Sequence, residues 1–202
     1  MSKVFLVSGF LGSGKTTLIK SLVEYFSVAN IKSALIVNEI GEIGIDNTYM
    51  KRLGYNIWEL YGGCICCTLA SGLVDTIEEL KKYNPDVILI EPSGAAEPKI
   101  TIDALLNMGF ERSDIVDFFL LDTTRLEMFL AVLQPLMLSS IEAADVVLVN
   151  KFELAGQDLY DEAIKIISEV KPEIACFKVA RDNLVNEDIK GFIKEHLSSK
   201  GA

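Results

Sequence analysis

The first loop of the chain reads Gly9-Phe10-Leu11-Gly12-Ser13-Gly14-Lys15-Thr16 and directly follows a short apolar run, Val4 to Ser8. This spacing matches the P-loop, a phosphate-binding turn that lies between a strand and a helix. Its glycines allow backbone amides to face phosphate oxygens, and the start of the helix adds a favourable dipole. A tight glycine turn without a ligand is the competing interpretation, and the complete match in this context makes it much the weaker one.

The side chains of this loop have separate roles in the chemistry of phosphate binding. Lys15 would place a cation near the β and γ phosphates, and Thr16 would offer its hydroxyl to Mg²⁺. We therefore expect a nucleoside triphosphate and Mg²⁺ to bind between residues 9 and 17. The predicted nucleotide contacts are Gly9, Gly12, Ser13, Gly14, Lys15, Thr16 and Thr17.

Short apolar, β-branched runs alternate along the chain with longer segments that have helical spacing. This alternation predicts an α/β fold, a P-loop NTPase with a doubly wound, mostly parallel sheet and helices on both faces. Functional residues of such a sheet lie in loops at the carboxyl ends of the strands. The predicted strands are Val4 to Ser8, Ser33 to Asn38, Ile57 to Leu60, Val87 to Ile90, Ile115 to Leu121, Val146 to Val149 and Ile174 to Val179. The predicted helices are Lys15 to Phe26, Ser71 to Tyr83, Pro98 to Met108, Leu126 to Ser140, Gln157 to Val170 and Asn186 to Leu197.

The length and composition restrict the classes of protein to consider. With 202 residues, we expect residues 1–202 to form one domain whose core needs no disulfides. A net charge of -10 opposes binding to nucleic acid and to anionic lipid. No apolar run approaches the roughly 18 to 20 residues needed to cross a bilayer, and no signal-peptide pattern follows Met1. We therefore expect a cytoplasmic protein without nucleic-acid or membrane partners, whose four cysteines are thiols.

An apolar run that ends in an acid, Val87-Ile88-Leu89-Ile90-Glu91, is followed by Pro92-Ser93-Gly94. An acid in this place can anchor Mg²⁺, usually through water, and the following glycine can present its amide to the γ-phosphate. We expect Glu91 and Gly94 to take these roles, so that they form the predicted catalytic set together with Lys15 and Thr16. An ordinary loop charge is the alternative for Glu91, and the nearby P-loop makes it the weaker one.

The run Val146 to Val149 leads into Asn150-Lys151-Phe152-Glu153, which is close to the Asn-Lys-x-Asp signature of guanine-binding loops. In such a loop Asn150 would bond the base and loop neighbours, and the stem of Lys151 would cover the face of the base. The acid would accept hydrogen bonds from N1 and the exocyclic amine of guanine. Glu153 keeps the carboxylate and shifts it by about one bond length relative to Asp. We therefore predict a preference for GTP and GDP, and the alternative is an ordinary polar turn.

Three of the four cysteines lie in one short segment, Gly62-Gly63-Cys64-Ile65-Cys66-Cys67. Thiolates bind soft and borderline metal ions, and a glycine pair permits a loop to fold back on itself. We predict that Cys64, Cys66 and Cys67 bind one Zn²⁺ or Co²⁺ ion. Because consecutive residues of an extended strand point to opposite faces, joint binding by Cys66 and Cys67 needs a turn. Three buried, inert thiols are the alternative.

A second segment with ligand groups, from Asn38 to Asp46, reads Asn-Glu-Ile-Gly-Glu-Ile-Gly-Ile-Asp. Carboxylates are hard ligands, and glycines suit a loop whose conformation responds to the nucleotide. We therefore expect Glu39 and Glu42 to add oxygen ligands to a metal. A solvated acidic loop is the alternative.

Taken in order, five motifs resemble those of the CobW-type metal-associated GTPases, relatives of the urease and hydrogenase nickel-insertion GTPases. They are the P-loop, the acidic segment, Gly-Cys-Ile-Cys-Cys, Glu-Pro-Ser-Gly and Ala-Asp-Val-Val-Leu-Val-Asn-Lys, between about Val4 and Phe177. The resemblance implies GTP-dependent delivery or insertion of Zn, Co or Ni, or service to a metal cofactor such as cobalamin. It also implies a partner, either a client metalloprotein or a cofactor enzyme. Many members carry a further carboxyl-terminal domain and a histidine-rich loop, so this chain, with one histidine, is expected to be the nucleotide-binding domain alone.

Three functions are compatible with these motifs. The first is a Mg²⁺-dependent GTPase that couples its nucleotide state to the cysteine site and acts as a metallochaperone. The second is a nucleotide-dependent activator of a corrinoid or other metalloprotein, without metal cargo. The third, a small-molecule kinase, is disfavoured because it needs arginines around an acceptor pocket and the chain has only four. No residue stands out as a catalytic base or arginine finger, so we expect slow hydrolysis until a partner or a homodimer completes the site.

Overall fold

The computed structural model describes residues 2–37, 56–59, 76–80, 82–92 and 97–198, with residues 56–59 described by their backbone only. These residues contain a seven-stranded sheet with the order β3-β2-β4-β1-β5-β6-β7, and every strand pair is parallel. The predicted parallel α/β sheet is therefore confirmed. The strands are β1 (Lys3–Ser8), β2 (Ser33–Val37), β3 (Asn56–Glu59), β4 (Val87–Glu91), β5 (Ile115–Asp122), β6 (Val146–Asn150) and β7 (Ala175–Val179).

Helices connect most of these strands, as the alternating pattern predicts. Residues 76–80 and 82–83 are also helical, whereas residues 71–75 and 81 of the helix predicted from Ser71 to Tyr83 lie outside the described part. Asn38 and Leu60, the predicted last residues of two strands, lie outside it as well. The remaining helices are α1 (Lys15–Val28), α2 (Pro98–Asn107), α3 (Leu126–Val132), α4 (Gln134–Ala143), α5 (Phe152–Ala155), α6 (Gln157–Val170) and α7 (Glu187–Ser198).

The segment predicted as one helix from Leu126 to Ser140 is instead two helices, α3 and α4, separated at Leu133. Pro135 lies in the first turn of α4. Because proline fits best in the first turn of a helix and restricts the residue before it, it favours a new helix start here. In the part of the chain that the structure describes, no single helix is long and apolar enough to cross a membrane. One pair of consecutive helical segments reaches the length and apolar composition of a membrane span only when both are counted together, and the pair is bent by 117°. The two segments are Thr123–Val132 and Gln134–Ala143.

Apolar side chains cover both faces of the sheet. Phe5 and Ile193 belong to the cluster on the face that carries α1 and α7. On the opposite face, Ile102 of α2 and Met137 of α4 belong to two further clusters. Complete burial of a large apolar side chain such as Phe5 stabilises the fold by about 1.5 to 3 kcal/mol. Coverage of both faces explains why the strands read as continuous apolar runs.

The strand order brings together the loops that carry the predicted site. β1 lies between β4 and β5, and β6 is the other neighbour of β5. Because the strands are parallel, their carboxyl ends lie along the same edge. Asp122 and Asn150, the last residues of β5 and β6, are direct partners in the register. The P-loop, the end of β4 and the loop after β6 therefore converge at this edge.

Candidate nucleotide-binding site

The P-loop between β1 and α1 has a backbone that favours glycine. Gly9, Gly12 and Gly14 have φ angles of 136°, 78° and 109°, which residues with a Cβ atom rarely adopt. A Cβ atom on Gly14 would lie 2.8 Å from Asn150 Nδ2, and one on Gly9 would lie 2.6 Å from the carbonyl oxygen of Leu120. The glycines therefore allow the loop to pass close to the ends of β5 and β6.

The first residues of α1 place a cation and a hydroxyl group at this loop. Lys15 is buried, and its Nζ donates to the carbonyl oxygen of Phe10 at 3.2 Å. The Thr16 hydroxyl donates at 3.4 Å to Oε1 of Glu91, the buried last residue of β4. Hydroxyl and carboxylate oxygens are hard donors, the ligand chemistry that Mg²⁺ prefers. The chemistry of Thr16 and Glu91 therefore fits a Mg²⁺ ion.

Asn150 ties the loop after β6 to the P-loop. Its Nδ2 donates to the carbonyl oxygen of Ser13 at 2.9 Å, and its Oδ1 accepts a hydrogen bond from the Lys151 amide at 2.9 Å. The Thr123 hydroxyl donates to the carbonyl oxygen of Asn150 at 2.6 Å. These contacts place Asn150 among loop neighbours, as its expected role requires, and its contact with a base stays a prediction.

Lys151 spans the gap between the loop after β6 and the P-loop. Its backbone is left-handed, with φ 61° and ψ 20°. Its Nζ donates to the carbonyl oxygen of Gly12 at 2.6 Å and to Oδ2 of Asp122 at 2.6 Å. The ammonium group is therefore held between the P-loop and the end of β5. The contact of the Lys151 stem with a base stays a prediction.

Asp122 is a site residue that sequence reasoning missed. It is only 1% exposed, and it accepts the ammonium group of Lys151. Asp122 ends an apolar strand, as Glu91 does, so it fits the same sequence pattern. The predicted strand ends one residue earlier, at Leu121, and so leaves this acid outside the motif.

Cations surround the P-loop although the chain as a whole carries a net charge of -10. Lys15 and Lys151 each donate to a carbonyl oxygen of the loop. Arg125 joins them, because its Nη1 donates to the carbonyl oxygen of Leu11 at 3.0 Å. This local positive charge, together with the amino-terminal end of α1, favours a polyphosphate. The sequence motifs assign no arginine to this loop, whereas the structure brings Arg125 to it.

The sequence model of the nucleotide-binding domain of CobW, HypB and UreG proteins matches residues 3–178. The chain belongs to the CobW/HypB/UreG family. The matched range includes every described element of the site, from the P-loop to the loop after β6. The family resemblance stated from the motifs is therefore confirmed.

Curated relatives of this CobW/HypB/UreG domain are described as metal-handling proteins. Zinc chaperone YeiR of Escherichia coli (strain K12) is 41% identical over 114 residues, which are 55% of this chain and 34% of that protein. Zinc-regulated GTPase metalloprotein activator 1 of Dictyostelium discoideum is 28% identical over 211 residues, 84% of this chain and 44% of that protein. The chain thus spans less than half the length of either relative.

Solved structures of similar proteins show the same fold. Hydrogenase maturation factor HypB from Archaeoglobus fulgidus has a TM-score of 0.69 at 17% identity, over 97% of this chain and 90% of that chain. Zn(II)-bound YjiA GTPase from E. coli has a TM-score of 0.63 at 21% identity, over 88% of this chain and 57% of that chain. Their likeness confirms the predicted P-loop NTPase fold of this CobW/HypB/UreG domain.

The other predicted site residues of this CobW/HypB/UreG domain fall into two groups. Thr17 is exposed in α1, and Glu153 is exposed in the first turn of α5. The second group lies outside the described residues and comprises Glu39, Glu42, Cys64, Cys66, Cys67 and Gly94. Within the described ranges, no group of three or more His, Cys, Asp or Glu residues could hold a metal. Burial raises the pKa of the fourth cysteine, Cys176 of β7, to about 11.

Proposed function

We propose that the chain is a Mg²⁺-dependent GTPase that couples its nucleotide state to metal binding at Cys64, Cys66 and Cys67. In this proposal it delivers the metal to a client metalloprotein in the cytoplasm. The carrying observation is the convergence of the P-loop, the Thr16–Glu91 pair and Asn150 at one edge of the sheet. This convergence supports a single site for phosphate, Mg²⁺ and base.

The predicted site residues have separate parts in the proposed chemistry. Lys15 and the first amides of α1 would stabilise the negative charge on the β and γ phosphates as the γ-phosphoryl group is transferred to water. Thr16 and Glu91 would hold Mg²⁺, which neutralises and orients the phosphates. Asn150 and Lys151 would fix the base relative to the P-loop. Gly94 would add an amide to the γ-phosphate.

Zinc is the favoured cargo because the relatives named above are a zinc chaperone and a zinc-regulated metalloprotein activator. Three thiolates from Cys64, Cys66 and Cys67 would occupy three of the four positions around Zn²⁺. The fourth position would take water, Glu39, Glu42 or a ligand from the partner. Such an open position favours transfer of the ion over permanent storage. Co²⁺ and Ni²⁺ are the alternative cargoes.

Two measurements on one preparation test this proposal. Protein purified without chelator is analysed for bound metal, and its hydrolysis of GTP and ATP is measured with and without Mg²⁺, with Lys15→Ala as the control. We expect bound zinc and Mg²⁺-dependent hydrolysis of GTP that exceeds that of ATP. Absence of Mg²⁺-dependent hydrolysis of both nucleotides would refute the proposal. GTP hydrolysis without binding of zinc, cobalt or nickel would instead support the activator without metal cargo.

A further inference from the structure

Asp122 is a buried carboxylate between the P-loop and the loop after β6. It ends β5 and is the register partner of Asn150. Burial of an unpaired carboxylate is costly, so its partners must compensate the charge. Those partners connect it to both loops.

The two carboxylate oxygens of Asp122 have different partners. Oδ1 accepts hydrogen bonds from the Thr124 amide at 3.1 Å and from the Thr124 hydroxyl at 2.6 Å. Oδ2 accepts from Lys151 Nζ at 2.6 Å, and Arg125 Nε lies 3.8 Å from it. One oxygen is therefore oriented by the neighbouring turn, and the other faces two cations.

Both of these cations also reach the P-loop. Lys151 Nζ donates to the carbonyl oxygen of Gly12, and Arg125 Nη1 donates to that of Leu11. These carbonyls belong to consecutive residues of the loop. A single carboxylate thus fixes two side chains that hold the loop on the side facing β5 and β6.

We propose that Asp122 is a positioning residue for nucleotide binding, which acts through Lys151 and Arg125 on the P-loop and on the loop after β6. The proposal rests on the proposed function, because it assigns a role in guanine-nucleotide binding at the same site. In this role Asp122 acts only through these neighbouring side chains. Its charge sets where the Lys151 stem lies and holds the carbonyl side of Leu11 and Gly12 in place.

The substitution Asp122→Asn separates this role from support of the turn. The amide oxygen can still accept from Thr124, whereas the amide nitrogen becomes a donor that faces Lys151 and Arg125. Asparagine has nearly the same shape as aspartate, so the substitution removes only the interaction with the cations. We expect the Kd for fluorescent GDP to rise by about 10- to 100-fold, the effect of losing a hydrogen bond to a charged group.

Asp145→Asn is the matched control. Like Asp122, Asp145 lies near an arginine and accepts a hydrogen bond from a backbone amide. Arg112 Nη2 lies 2.7 Å from its Oδ1, and the Asp117 amide donates to its Oδ2 at 2.8 Å. It lies before β6, at the edge of the sheet opposite the P-loop. This variant should bind GDP with a Kd within about twofold of wild type, as expected for a distant, independent site.

A second measurement of Asp122→Asn, in a protein that lacks both cations, distinguishes a positioning role from a purely structural one. In a Lys151→Met, Arg125→Met protein, the cations through which Asp122 acts are absent. Asp122→Asn should then raise the Kd by less than about threefold, because the effects of residues acting through each other are not additive. The same 10- to 100-fold factor in both backgrounds would overturn the proposal, as would wild-type affinity of a folded Asp122→Asn protein.

Circular dichroism and thermal unfolding show which variants fold. If Asp122→Asn does not, Thr124→Val decides, because it removes one hydrogen bond that orients the carboxylate and leaves its charge and both cations in place. A Kd at least about threefold above wild type supports the proposal, and wild-type affinity overturns it. Absence of GDP binding in the wild-type protein would refute the proposed function itself, an outcome distinct from unchanged binding in the variants.

Discussion

Replacement of Asp117 by asparagine should remove a large part of the pH dependence of stability. Asp117 is fully buried in the middle of β5, and neither of its carboxylate oxygens has a hydrogen-bond partner within the described residues. Burial raises the pKa of this carboxyl group from 3.8 to about 8, and the nearby charge of Asp145 adds to the rise. The Ser8 hydroxyl, which lies nearby without a hydrogen bond of ordinary geometry, and the charges of Arg112 and Lys171 oppose it.

The direction of the pH effect follows from where the proton is held. The folded protein keeps the Asp117 proton up to about pH 8, whereas the unfolded chain releases it near pH 3.8. The contribution to stability is therefore fully present below pH 3.8 and is lost as the pH rises through 8. One pKa unit corresponds to about 1.4 kcal/mol, so the whole loss is at most about 6 kcal/mol. Between pH 5 and 7 it is about 2.5 kcal/mol.

Urea unfolding at pH 5, 6 and 7, followed by circular dichroism, measures this effect. The free energy of unfolding of Asp117→Asn minus that of wild type should rise by about 1.4 kcal/mol per pH unit. Asp117→Val, which also cannot titrate, should show the same slope, although its absolute stability will differ because its shape and polarity differ. A difference that stays constant from pH 5 to 7 in both variants would show that Asp117 is already ionised in the folded protein.

Three further predictions concern the proposed function. Lys15→Ala should abolish binding of GTP, measured by calorimetry, because the Lys15 ammonium group is proposed to bind the phosphates. The circular dichroism spectrum should stay that of wild type. Wild-type affinity in the folded variant would contradict the P-loop assignment. Glu153→Asp should strengthen the preference for GTP, because the shorter side chain matches the Asn-Lys-x-Asp signature. In a competition assay the Kd for ATP divided by the Kd for GTP should rise, and a lower ratio would count against guanine recognition. Zinc affinity should differ by about 5- to 150-fold between the GDP-bound and GTP-analogue-bound proteins. A Cys66→Ala, Cys67→Ala variant should lose both the affinity and this difference, and unchanged zinc binding would remove these cysteines from the site.

Much of the sheet could be predicted from the sequence because its strands are covered on both faces. The predicted run Val87 to Ile90 differs from β4 by one residue, and Val146 to Val149 differs from β6 by one. Helix boundaries were harder where a local residue overrides the apolar pattern. Pro135 divides the helix predicted from Leu126 to Ser140, and the four residues of α5 are too few to show a periodicity.

The site was predictable where chemistry fixes a spacing within one segment. The P-loop glycines and Asn150 belong to such segments, and the structure brings them together. The sequence does not reveal Asp122, because its role depends on the pairing of β5 with β6 and on its contact with Lys151, which lies 29 positions further along the chain. Arg125 was missed for a similar reason, since its partner carbonyl is 114 positions away. Such contacts come from tertiary structure and leave no local pattern.

The bridge from Asn150 to Ser13 is made entirely by protein atoms. The relative positions of the loop after β6 and the P-loop are therefore set when the chain folds. The conformational entropy lost in ordering these two loops belongs to folding and does not reduce the affinity for the nucleotide. Such preorganisation means that association does not have to wait for these two loops to find each other.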